Sequence, residues 1–267
     1  MSTDLLIFVV VVGLRLFVPL LIPRFPLPAI LAALVIDAAD QTIFQNNTDL
    51  DLTGYQGYDK ALDIYYLTIA YLSTLRNWSD PFAFGVARFL WYYRLVGVLL
   101  FELFDVRALL IIFPNTFEYF FIAYEVVRLW WNPARLNRRQ VIGMAAFIWI
   151  FIKLPQEWWI HIAQLDFTDF MKEDVFGVST STSWGTAISE NLWFVGLLVV
   201  VGIGIGFAVR KISRDAPAPD WSFNMDVDKT IRQVELAEVP DRPRSIVSWY
   251  MFEKIAWVSM VTIIFAH

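Results

Sequence analysis

Residues 5–28 read LLIFVVVVGLRLFVPLLIPRFPLP. Leu5 to Ile22 is apolar except for Arg15, and a bilayer core of about 30 Å is crossed by roughly 20 such residues as a helix. Pro23, Pro26 and Pro28 then stop the helix, because proline lacks an N–H and restricts the residue before it. Asp4 stands where a secretory leader would carry basic residues, and no small-residue cleavage site follows. The first segment is therefore expected to be a retained span.

The same pattern recurs along the chain. Ala29–Phe44 is a shorter apolar run carrying Asp37 and Asp40, short enough to be re-entrant. Asp59–Leu75 is tyrosine-rich, and Phe82–Phe104, Ala108–Trp131 and Val141–Ile162 follow. Leu192–Val209 is the most aliphatic run, and Ile246–Ala266 closes the series. Composition agrees: 58% of residues are apolar and 18% charged, against about 25% charged in a globular chain. The expected fold is an all-α, polytopic membrane helix bundle of seven or eight segments. Residues 1–209 would form the bundle, with an outer loop over 166–189. Residues 210–245 read as a polar cytoplasmic segment, and 246–267 as a membrane or interfacial helix.

Arg135, Arg138 and Arg139 follow the fifth span, and Arg210, Lys211 and Arg214 follow the seventh. Basic residues mark cytoplasmic connections, so both are expected inside, in a plasma (inner) membrane. The chain has no cysteine, which excludes thiolate metal sites and cysteine nucleophiles. A net charge of −5 argues against nucleic acid as a partner. Membrane lipids, a second copy or partner membrane subunits are the expected surroundings.

Ionisable residues inside a membrane are costly and mark candidate sites. Asn115, Glu118, Glu125 and Arg128 fall on one face of the fifth span. Lys153, Glu157 and His161 are spaced four apart on the sixth, with Pro155 inside that row. Arg88 and Glu102 share a face of the fourth, with Arg94 turned away, and Asp59, Asp63 and Tyr66 line up on the third. Two readings compete. Glu118 or Glu125 could pair with Arg88 or Arg94, and Lys153 with Glu157, as structural ion pairs. Alternatively Glu118, Glu125, Arg88, Lys153, Glu157 and His161 form an ion or proton pathway.

A second cluster is acidic. Asp37 and Asp40 lie three apart, Asp59 and Asp63 four apart, so each pair presents two carboxylates on one helix face. Joined in a hairpin, four acids would converge and require a cation; oxygen ligands suit Mg²⁺, Ca²⁺ or Mn²⁺. This stretch distantly resembles the CDP-alcohol phosphotransferases, whose signature is D-x2-D-G-x2-A-R-x8-G-x3-D-x3-D. Asp37, Asp40, Gly54, Asp59 and Asp63 fall near the required positions, and Arg15 and Pro19 upstream are in keeping. Gln41, Phe44 and Gln45 stand in place of the glycine, alanine and arginine, and one extra residue separates Gly54 from Asp59. The resemblance implies a metal-dependent lipid head-group enzyme. The sequence thus leaves three functional classes: a channel, transporter or ion-responsive module, placed first; a non-catalytic scaffold or complex subunit; and the head-group enzyme.

Overall fold

The computed structural model describes residues 2–48, 55–163, 167–215, 217–220, 223, 225–227 and 249–266. All regular structure among them is helical. Ser2 caps α1 (Thr3–Phe17), its hydroxyl accepting from the Leu5 N–H. A tight 3₁₀ turn around Pro19 leads to α2 (Pro26–Asn47), which starts on a proline, where the missing N–H costs nothing. Next comes α3 (Tyr55–Asn77). Asp80 caps α4 (Pro81–Phe104), which ends at Asp105 in the left-handed conformation, φ 51°. A short α5 (Ala108–Ile112) and α6 (Thr116–Trp130) follow, separated by Phe113-Pro114-Asn115. An Asn137–Gln140 capping box starts α7 (Arg138–Ile162). α8 (Trp184–Glu190), α9 (Leu192–Asp215) and α10 (Trp249–Ala266) complete the order.

Among the described residues, five helical stretches are long and apolar enough to cross a membrane, or six if α8 and α9, bent by 85°, count as one span. The five are Thr3–Leu21, Pro26–Gln45, Pro81–Phe104, Ala108–Trp130 and Arg138–Ile162. That is fewer than the seven or eight read from sequence. α3 has 23 residues, but its tyrosines and charges leave it too polar to count. α2, read as short enough to be re-entrant, is one continuous helix of 22 residues. The protein is thus an all-helical, multi-span membrane protein with charged residues buried in it.

The chain divides into two compact units, residues 1–155 with 220–267, and residues 156–219. In the first, α1 packs on α2, α3 on α4, and α4 on α6, α7 and α10. Its core is strongly aromatic: Trp91, Phe117, Phe120, Phe121 and Tyr124 are fully buried. Trp78 stacks on Phe121 and Tyr71 on Trp91. In the second unit, Phe176 meets Trp184, Trp193 and Phe194 edge to face. Lys172 donates to the Thr180 carbonyl at 2.7 Å. The stretch read as an outer loop therefore carries helical turns over Phe167–Phe170 and Met171–Val175, then α8.

Pro155 does not end α7. Wider π-helical turns flank it, over Ile148–Lys153 and Trp158–Ile162. The proline ring crowds the carbonyl four residues back, and an extra residue per turn relieves the clash without breaking the helix.

Candidate functional site

The four aspartates do converge, and the chain itself supplies one cation among them. Arg15, only 4% exposed, ion-pairs with Asp37 and Asp40 from α2, and with Asp59 (2.7 Å) and Asp63 (3.1 Å) from α3. The lone charge in the first apolar run is thus the hub of the cluster. Helix spacing places the acids: three and four residues apart, each pair faces the same way. Asp40 is fully buried, and one oxygen each from Asp37, Asp59 and Asp63 lies within 4.8 Å of the others. Those three could hold a metal ion. Ionised, four carboxylates on one guanidinium leave a formal excess of three negative charges.

One helical turn beyond Asp63, the Tyr66 hydroxyl donates to Glu118 on α6. Glu118 also accepts from the Asn115 side chain at 3.0 Å and ion-pairs with Lys153 at 3.5 Å. All three side chains are buried, and Lys153 also lies 3.9 Å over the Tyr119 ring. Lys153 thus reaches Glu118 on α6, a partner besides the one that its four-residue spacing to Glu157 offers.

This site adjoins a break in a span. Ala108–Trp130 would cross the membrane, yet it is not helical at Phe113–Asn115. Irregular backbone at membrane depth survives only where protein or a polar cavity satisfies it. Here α4 does so: the Tyr93 hydroxyl donates to the Ile112 carbonyl at 2.8 Å, and Arg94 to the Phe113 carbonyl at 3.2 Å. Gly97 permits the approach, since a Cβ there would lie 2.1 Å from the Phe113 Cβ.

The remaining expected residues have the following partners. Glu125 accepts from the Trp78 indole at 2.7 Å and from Arg128 at 2.8 Å. Seven residues separate it from Glu118, and the intervening Phe121 and Tyr124 are packed into the aromatic core. Arg88 pairs with Glu253 of α10 at 3.5 Å, not with Glu118 or Glu125. In the second unit, His161 and Glu157 pair with each other at 3.0 Å.

Sequence reading missed Arg15 as the counter-ion and Arg94 as a support of the break. Both were visible as charges in apolar runs, but their partners lie far along the chain. In comparisons with protein-family models, curated proteins and solved structures, nothing matches this chain.

Proposed function

We propose that the protein is a transporter- or channel-type, ion-responsive membrane module. Its working site is Glu118 with Tyr66, Asn115 and Lys153, adjoining the Arg15–aspartate cluster. One observation carries this reading: the Ala108–Trp130 span is interrupted at Phe113–Asn115, beside buried, ion-paired Glu118 and Lys153. Broken helices with exposed helix ends at membrane depth are how secondary transporters build ion and substrate sites. A packed scaffold has no need of a costly buried carboxylate–ammonium pair at such a break.

A second reading is favoured by a separate observation. The oxygens of Asp37, Asp59 and Asp63 are close enough to share Mg²⁺, Ca²⁺ or Mn²⁺. In that reading the aspartates hold the metal of a lipid head-group enzyme, and Arg15 must give up part of its clasp.

The test is ion flux into proteoliposomes holding the purified full chain, with Glu118→Gln as the diagnostic variant. The parent should pass ions above empty liposomes, and Glu118→Gln should lower that flux by about tenfold or more while eluting as a folded protein, with a lower unfolding midpoint because Lys153 loses a buried partner. No flux from the parent, or equal flux from a folded Glu118→Gln, removes the transport reading.

A further inference from the structure

We propose that the α5–α6 junction binds a small monovalent anion, chloride or a compact carboxylate, with Arg94 as its counter-charge. This deepens the transport reading by naming the ion class. Binding can be tested without transport.

Arg94 lies near the middle of the Pro81–Phe104 span and is 8% exposed. Its polar partner among the described residues is the Phe113 carbonyl, while its Nε is buried with no acceptor. A carbonyl satisfies an N–H but does not neutralise a guanidinium. A charge held inside a membrane span normally pairs with an opposite charge. Among the described residues no carboxylate pairs with Arg94, and Glu118 is engaged by Lys153, Tyr66 and Asn115.

Two further donors lie along the same boundary. The Trp91 indole N–H, one turn before Arg94, is fully buried and finds no acceptor among the described residues; its ring sits 5.7 Å from that of Phe117. The Thr116 hydroxyl, 1% exposed, has no partner among the described residues either. Thr116 opens α6, a 15-residue helix whose first amides carry partial positive charge. A guanidinium, an indole N–H, a hydroxyl that can donate and a helix N-terminus all favour an acceptor of negative charge. Cations find no ligand in that set. Water could accept from these donors but would leave the charge unbalanced.

Phe113, Phe117 and Trp91 crowd the boundary, and Gly97 brings α4 directly onto Phe113, so the proposal is confined to an anion as small as a halide or formate.

The experiment is equilibrium binding of radiolabelled chloride to the full chain in phosphatidylcholine nanodiscs, with gluconate holding ionic strength constant. Saturable binding is expected, displaced by bromide; displacement by formate at lower concentration than bromide would identify a carboxylate site instead. Arg94→Met should weaken binding by about tenfold or more, and Thr116→Val by a smaller factor. Should Arg94→Met not fold, Thr116→Val combined with Trp91→Phe carries the test. Absence of saturable binding of both chloride and formate to the parent overturns the site, as does unchanged binding in the folded variants. Anion binding without flux in liposomes keeps this site and removes the transport reading. Cation flux without anion binding does the reverse.

Discussion

Arg15 and Arg94 are both buried arginines within candidate spans, and their surroundings are opposite. Arg15 is clasped by Asp37, Asp40, Asp59 and Asp63, so its site carries more negative charge than the guanidinium can balance. Arg94 touches a carbonyl and, among the described residues, no carboxylate. One site is short of cations and the other short of an anion. Each imbalance says what the site would accept. It also sets the sign of the stability change when the arginine is removed, because breaking a buried pair strands charge, whereas deleting an unpaired charge relieves it.

The largest effect is expected from Arg15→Gln. Four carboxylates would then face one another in a largely buried setting, which should destabilise the protein by about 3–5 kcal/mol. α1 should feel this most, since only Val11 and Arg15 along it are buried. The readout is the unfolding midpoint of purified protein in detergent. Adding Asp37→Asn and Asp63→Asn to Arg15→Gln should recover most of the loss, since the stranded charges are then removed. Millimolar Mn²⁺ should also raise the midpoint of Arg15→Gln if Asp37, Asp59 and Asp63 can take a metal. An Arg15→Gln protein as stable as the parent would show that the clasp contributes nothing.

Arg94→Met should behave differently. In halide-free gluconate buffer the variant loses the bond to the Phe113 carbonyl, a net contribution of about 1 kcal/mol. It also sheds an unpaired buried charge, which offsets that loss or exceeds it. Its unfolding midpoint should lie within about 1 kcal/mol of the parent, and chloride should stabilise the parent alone. A loss as large as that of Arg15→Gln would mean that the fold already neutralises Arg94, and the contrast would fail.

How much of this could be read from the residues depends on how far apart the partners lie. The spacing of Asp37 with Asp40 and of Asp59 with Asp63 is local, so helix geometry alone predicts their shared faces. That a cation must join them is also legible from charge. That the cation is Arg15 is not, because it depends on how α1 packs against α2 and α3. The spacing of Lys153 and Glu157 is local and legible, but the contact of Lys153 with Glu118 is not, because it depends on how α7 packs against α6. Pro114 was a visible signal for the break in the Ala108–Trp130 span. What holds the break open in shape, Gly97 against Phe113 with Tyr93 and Arg94 on the freed carbonyls, is a tertiary fit that no periodicity records.

Arg135 adds a solvated control to the two buried arginines. Its side chain is 52% exposed and pairs with Asp220, which also accepts from the Asn132 N–H at 2.7 Å. The Asp220 N–H donates to the Trp130 carbonyl at 2.8 Å, and Phe223 packs on the Trp130 ring. This short strap is held partly by ion pairs, but in a high dielectric with mobile counter-ions such pairs contribute only about 0–1 kcal/mol. Asp220→Asn keeps an oxygen that can accept from Asn132, so the helix-end contact survives and only the charge is lost. The unfolding midpoint should fall by about 0.5 kcal/mol or less at low salt, and by nothing measurable in about 0.5 M NaCl, where screening has already removed the pair's contribution from the parent. The same salt should leave the cost of Arg15→Gln nearly unchanged, because ions screen buried pairs far less. If Asp220→Asn and Arg15→Gln respond alike to salt, burial is not what separates these arginines, and the reading of both intramembrane sites from their local charge balance loses its footing.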